Sequence, residues 1–247
     1  MNPNTIVKPC QEKDFTLGQI SGQYDSNSIK NFSVDMLSPQ YWQQNNAVIT
    51  TAQGRGTTYF VKYQSQEWVL RHYYRGGLIG KIIHDSYLYT GLKNTRAAKE
   101  FDLLKHLNQL QLPAPKPIAY RVIRSGISYQ ADILTARIGH AKDLVAILQD
   151  RELDDQVWLS IGACIKQFHD HGIYHHDLNA HNILLDDNLK VWVIDFDQGE
   201  IRSPQQAWQQ ANMTRLLRSF NKEQQKLANF HWQKENWATL MEGYLSL

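Results

Sequence analysis

The sequence predicts an α+β fold in two lobes, strands first and helices after. Three observations carry the prediction. Runs rich in Val, Ile, Thr, Tyr and Trp are punctuated by turn residues as far as Leu134, apolar residues recur at helical spacing beyond Asp143, and no internal repeat interrupts either regime. The 247 residues are 42% apolar and 20% charged. That balance excludes a disordered tail, a collagen-like repeat and a disulfide-stapled miniprotein. A chain of this length buries about 70–75% of its unfolded surface, so the core needs neither metal nor disulfide.

In chain order, Ala47–Thr50, Thr57–Tyr63 and Glu67–Tyr73 read as an antiparallel meander, separated by Gly54–Gly56 and by Gln64–Gln66. A helix is expected over Thr95–Asn108, where Glu100, Leu103, Leu104 and Leu107 share a face. A carboxylate on that inward face needs a cationic partner. Pro113, Pro115 and Pro117 then stop the helix and force an extended crossing. Ile118–Ile123 and Ser128–Leu134 complete a sheet of about five strands. Beyond it, Leu144–Leu148 and Asp154–His169 are helical, the second with a stripe of Val157, Ile161, Cys164, Ile165 and Phe168. Two lobes of these kinds leave a cleft, a common location for a ligand.

The cysteines, Cys10 and Cys164, are too far apart for a metal knuckle, and two reduced thiols are expected. No apolar run approaches the ~20 residues that span a bilayer, and the N-terminus lacks a basic start followed by an apolar stretch. The formal net charge of +2 hides an uneven distribution. Residues 54–81 carry Arg55, Lys62, Arg71, Arg75 and Lys81 against Glu67, and residues 202–226 carry Arg202, Arg215, Arg218, Lys222 and Lys226 against Glu223. Two concentrated basic segments suit an anionic ligand or surface at particular places, and no nucleic acid is expected.

The chemistry-bearing stretch is His169–Gly199. Gly172 closes a helix, a polar loop carries Asp177 and Asn182, and two short apolar strands, Ile183–Leu185 and Val191–Ile194, lead into Asp195. His175-His176-Asp177-Leu178 with Asn182, followed by Asp195-Phe196, resembles the catalytic loop and metal-binding strand of the protein-kinase-like superfamily. Phosphoryl transfer from ATP requires a carboxylate to take the acceptor's proton, and an amide oxygen with a second carboxylate to hold Mg²⁺ on the phosphates. The resemblance implies Asp177 as base, with Asn182 and Asp195 as metal ligands. His175 braces the loop. Five of the ten histidines fall between His169 and His181, yet their spacing is not that of a zinc site.

Upstream, Gly54 and Gly56 occupy the place of a phosphate-covering loop, with fewer glycines than usual. Trp68-Val69-Leu70-Arg71 lies where such enzymes carry a strand lysine, and Glu100 stands as its ion-pair partner. Arginine keeps the charge but grips oxyanions as a fork. Lys62 and Lys81 are rival phosphate ligands. Asp197 replaces the glycine of the D-F-G pattern, a turn that Asp tolerates better than most residues. Asn179 stands where Ser/Thr-type kinases have lysine. With no room for a peptide-docking segment before the helix near Trp208–Phe220, no protein substrate is expected.

TRAAKEFDLLKHL, GIYHHDLNAHNILLD, VWVIDFDQGEIR, NMTRLLRSFNK and WVLRHYYRGGLIGK together resemble the lipopolysaccharide kinase family, over about residues 45–225. The resemblance implies a protein-kinase-like bilobal fold with ATP in the cleft. Residues 1–45 are then an extension packed on the strand-rich lobe, 46–136 the ATP-binding lobe and 137–247 the catalytic lobe. It further implies ATP-dependent phosphorylation of the 4-hydroxyl of 3-deoxy-D-manno-octulosonic acid (Kdo) in Kdo-lipid IV(A), with ATP and Mg²⁺ as cofactors. The location implied is peripheral, on the cytoplasmic side of the inner membrane. Arg75 and Lys81 are expected on the substrate's anionic groups. The helix bearing Met213, Leu216, Leu217 and Phe220, flanked by Arg215 and Arg218, admits apposition to an anionic membrane or packing inward; four apolar residues make a small anchor, which favours packing. A kinase of heptose or of an aminoglycoside-like metabolite, and a non-catalytic pseudokinase, are the rival readings.

Overall fold

The computed structural model describes residues 10–54, 56–75 and 85–246. The chain divides into two compact units, Met1–Gln109 with Pro115–Arg137, and Leu110–Ala114 with Ile138–Leu247. The proline-rich crossing is thus where the chain changes units before returning for two more strands.

The first unit is built on an antiparallel sheet of β1 (Glu12–Leu17), β2 (Ile20–Asp25), β3 (Val48–Gln53), β4 (Thr57–Tyr63), β5 (Gln66–His72), β6 (Tyr87–Leu88), β7 (Pro117–Ser125) and β8 (Ser128–Ala136). Their order is β1-β2-β7-β8-β5-β4-β3, with β6 added to β8. The sheet therefore exceeds the five strands expected. β1, EKDFTL, is exposed at all but one position and β6 has two residues, so neither carries the half-buried alternation that marks a strand.

Helices α1 (Pro39–Gln44) and α2 (Arg96–Gln109) complete this unit. Ile29, Met36, Leu37 and Trp42 pack with Val61, Trp68, Leu70, Ala119 and Leu134. Strand alternation then decides what lies opposite. Trp68 and Leu70 point into that core, so Arg71 points to the other face, where α2 lies. Tyr120, next to Ala119, likewise meets Phe101 of α2, ring centroids 5.2 Å apart. Asp25, wholly buried, is bound by Lys116 at 2.6 Å and by the backbone N–H groups of Gln11 and Asn27. That cluster ties the N-terminal hairpin to the start of β7.

The second unit contains β9 (Lys142–Asp143), α3 (Leu144–Asp150), α4 (Asp155–Asp170), β10 (Ile173–Tyr174), β11 (Ile183–Leu185), β12 (Val191–Val193), β13 (Glu200–Ile201), α5 (Gln206–Lys226) and α6 (Lys234–Leu245). β12, β11 and β9 form one small antiparallel sheet, and β10 pairs with β13. Helices α4 and α6 approach until glycines meet backbone: a Cβ on Gly162 would lie 1.9 Å from the Leu240 carbonyl oxygen, and one on Gly243 2.1 Å from that of Leu159. Trp158, Phe220 and Trp232 fill the neighbouring core, with the last two rings stacked at 4.2 Å.

Met213, Leu216 and Phe220 of α5 are all buried within this unit. Leu217, the fourth residue of that stripe, is half-buried, so most of this face is taken up by packing. Cys164 on α4 is also buried, its thiol pushed up to about 12 by desolvation, and behaves as a small hydrophobe.

Candidate active site

The loop from His175 to Asn182 follows a helix end shaped by glycine. Gly172 takes φ +73° after α4, and a Cβ there would meet the Arg202 carbonyl oxygen at 2.1 Å. The Arg202 N–H donates to the Gly172 carbonyl at 2.7 Å, which sends the chain into β10. His175 is then buried, and its ring joins two segments. The Asp177 N–H donates to His175 Nδ1 (3.2 Å), so Nε2 carries the proton and donates to the Ile194 carbonyl (2.9 Å). Burial holds this imidazole below the ordinary histidine range, in keeping with a neutral ring.

Asn182 completes the lock. Its Nδ2 donates to the Asp177 carbonyl at 2.9 Å, while the Ile194 N–H donates to its own carbonyl at 2.9 Å. With the amide nitrogen spent on the loop, Oδ1 is the end left to act as a donor to a cation. Asp195 follows Ile194 directly. Asn182 Oδ1 and the Asp195 carboxylate are hard oxygen donors on two bonded segments, a donor set that suits Mg²⁺, which takes few protein ligands and keeps phosphate and water. Phe196 anchors the turn beyond them, wholly buried at 5.6 Å from the Phe168 ring and 4.9 Å from His175. The left-handed conformation in this turn falls on Asp195 (φ +62°) and Gln198 (φ +59°). Asp197 therefore replaces a glycine without needing a glycine's backbone.

In the first unit, Arg71 Nη2 donates to Glu100 Oε1 at 2.5 Å, and the Tyr73 hydroxyl donates to Oε2 at 2.7 Å. Glu100 is 2% exposed and Arg71 26%, so the carboxylate is the buried anchor and the guanidinium its partly accessible partner. Gly54 and Gly56 form the turn between β3 and β4, the Gly54 N–H donating to the Gly56 carbonyl at 3.0 Å. A Cβ on Gly56 would sit 1.8 Å from the Tyr74 ring, so any other residue there would have to displace that ring. Arg75 lies over the Tyr87 ring at 5.0 Å, and its buried Nε makes no hydrogen bond among the described residues. Lys62 is exposed on β4 opposite Glu67. Lys81 and Arg55 lie outside the described residues.

One stripe of α5, which the sequence reading missed, holds the loop. Asn212 Oδ1 accepts from the His175 N–H (3.3 Å) and its Nδ2 donates to the His175 carbonyl (3.0 Å). Arg215 Nη1 stands 3.5 Å from Asp177 Oδ1, Ser219 Oγ accepts from the Ala180 N–H at 3.0 Å, and Glu223 Oε1 is 3.7 Å from His181 Nε2. Spacing of three and four residues puts all four on one helix face. The signal available was that polar residues recur at helical period beside the apolar stripe. Asn179, in the place of the kinase lysine, is occupied locally: it accepts from the His181 N–H at 2.9 Å and donates to the Asp177 carbonyl at 3.0 Å. Two more of the clustered histidines have structural partners, His169 with Tyr244 and His171 with the Gln167 carbonyl, both at 2.8 Å.

The profile of the Lipopolysaccharide kinase (Kdo/WaaP) family matches residues 39–244. A 3-deoxy-D-manno-octulosonic acid kinase of Photobacterium damsela subsp. piscicida is 50% identical over 205 residues, 83% of this chain and 85% of the relative. Enzymes of the same name from Vibrio parahaemolyticus and Haemophilus influenzae are each 45% identical, covering 89% and 86% of this chain and 92% and 90% of the relatives. With the loop, the paired strands and the arginine–glutamate pair folded as described, and a match across most of its length, the chain belongs to the lipopolysaccharide kinase (Kdo/WaaP) family.

Proposed function

We propose that this chain is a kinase that transfers the γ-phosphoryl group of ATP to a Kdo hydroxyl of a lipid A precursor during lipopolysaccharide core biosynthesis. The resemblance points to the 4-hydroxyl of Kdo-lipid IV(A). The observation that carries the reading is the lock around Asp177, in which Asn182 and the segment ending in Asp195 are joined to the same loop by hydrogen bonds of 2.9–3.2 Å. Relatives 45–50% identical over most of the chain carry the Kdo kinase name.

Asp177, whose side chain is 49% exposed, accepts the proton of the acceptor hydroxyl as the oxygen attacks phosphorus. Asn182 Oδ1 and the Asp195 carboxylate would hold Mg²⁺, which would supply positive charge against the charge that develops during transfer. His175 keeps the Asp177 backbone in register with Ile194 and so with the metal ligand beside it. Arg71, fixed by Glu100, grips the phosphates of ATP as a fork, and the backbone of Gly54 and Gly56 covers them. Arg75 and Lys81 meet the anionic groups of the acceptor. The lipid-linked acceptor puts the working location at the cytoplasmic face of the inner membrane, peripherally bound. No helix among the described residues is long and apolar enough to cross a membrane.

The test is turnover of labelled ATP with Mg²⁺ on Kdo-lipid IV(A), heptosylated lipid A and free sugars, with the product's phosphate position read by NMR. Label on the Kdo 4-hydroxyl is expected. Label on heptose or on a free sugar alone would replace this acceptor with another, and no label on any acceptor would refute the kinase reading.

A further inference from the structure

The loop His175–Asn182 contains no lysine or arginine, and the one residue in the kinase lysine's place, Asn179, is spent on the loop's own backbone. Yet a carboxylate base facing a phosphoryl group in transfer sets two negative groups side by side, and such a site works best when a fixed positive charge stands with them. Arg215 is the lysine or arginine within 4 Å of Asp177 among the described residues, its Nη1 3.5 Å from Oδ1.

This pair is not an ordinary surface contact. Exposed ion pairs contribute little because both side chains wander. Here the backbones on both sides are pinned: Asn212, three residues before Arg215, holds the N–H and carbonyl of His175, and Ser219, four residues after it, holds the Ala180 N–H. The helix position between those two anchors lies opposite the loop position between them, which is Asp177. The side chains are 42% and 49% exposed, so the pair is held in place and still open to a substrate.

We propose that Arg215 is a positioning residue for phosphoryl transfer. Its guanidinium holds Oδ1 of Asp177, which turns the second carboxylate oxygen towards the acceptor hydroxyl and places a fixed positive charge beside the base. The proposal rests on the kinase reading above and adds to it a residue from α5, remote in sequence from the loop.

The experiment is steady-state kinetics of Arg215→Ala and Arg215→Lys with MgATP and Kdo-lipid IV(A), with Gln210→Ala, on the exposed side of the same helix, as control. Arg215→Ala is expected to lose about 100-fold or more in kcat with the KM for ATP within threefold. Arg215→Lys should recover part of that loss, and added guanidinium should raise the turnover of Arg215→Ala several-fold. A kcat within threefold of the parent, or a loss confined to KM, overturns the proposal. Thermal unfolding of each variant accompanies the kinetics; should Arg215→Ala be unstable, Arg215→Lys and Arg215→Gln decide the matter, since a structural role would treat the two alike and a charge role would not. If the parent protein phosphorylates no acceptor, the kinase reading has failed. The Arg215 proposal is then judged separately on Mg²⁺-dependent ATP hydrolysis, where the same loss in Arg215→Ala supports it and unchanged hydrolysis overturns it.

Discussion

Arg71 shows how one side chain departs from a familiar pattern while keeping an ion pair with the helix glutamate. The buried carboxylate of Glu100 has both oxygens engaged, one by Arg71 Nη2 and one by the Tyr73 hydroxyl. Removing the arginine leaves a desolvated charge behind. Arg71→Met is therefore expected to destabilise the protein by about 3–5 kcal/mol in chemical denaturation, and the double variant Arg71→Met/Glu100→Gln to regain much of it. Equal stability of the single and double variants would show that Glu100 is not held by this pair. The need for a cation was legible in the sequence because a glutamate on a leucine face demands one, and the resemblance to kinases named Arg71 as that cation. Asp177, Asn182 and Asp195 were legible because their spacing is local. Arg215 was not, since its meeting with Asp177 depends on the register of α5 against the loop, which only tertiary packing sets.

Between elements, packing is decided at glycines and at polar stripes rather than by propensity. The α4–α6 contact has glycine on both helices with backbone carbonyls about 2 Å from where a Cβ would stand. Gly162→Ala must push the helices apart, and a loss of about 3 kcal/mol is expected, read from the denaturation midpoint with an unchanged slope. A neutral result would mean that α6 is not seated as described. Helix α6 itself escaped the sequence reading, because KENWATLMEGYL mixes polar residues and a glycine into its apolar spacing. For α5 the sequence left two readings open, and burial of Met213, Leu216 and Phe220 favours packing. Its adjacent polar stripe, from Asn212 to Glu223, turns the same helix into the support of the loop.

For the molecule as a whole, the two-part organisation was visible as a change of hydrophobic period, while the crossing at Leu110–Ala114 was visible only as prolines. The extra strands at the N-terminal end were hidden, since a polar edge hairpin lacks an alternating pattern. Acid stability follows from the second unit's buried imidazoles. Burial lowers His169 from 6.5 to about 4 in the folded protein, against opposing hydrogen bonding from Asn212. The unfolded chain thus binds a proton that the folded one refuses, so this contribution is complete above pH 6.5 and is lost as the pH falls towards 4. It amounts to about 3 kcal/mol over that window, and His175 acts in the same direction. His169→Asn should flatten the pH dependence of stability between pH 6.5 and 4 measured by denaturation; a slope as steep as the parent's would contradict the assignment.

At the level of function everything converges on one carboxylate. Asp177→Asn keeps the shape of the loop, because the contacts that fix it run through the Asp177 backbone N–H and carbonyl. Phosphate transfer from MgATP to Kdo-lipid IV(A), followed by mass spectrometry for parent and variant at equal folded concentration, therefore isolates the role proposed for this carboxylate. One added phosphate in the parent, and a rate lower by about 10²–10⁴-fold in Asp177→Asn with ATP binding retained, is the predicted result. Transfer at the parental rate by Asp177→Asn would contradict the account.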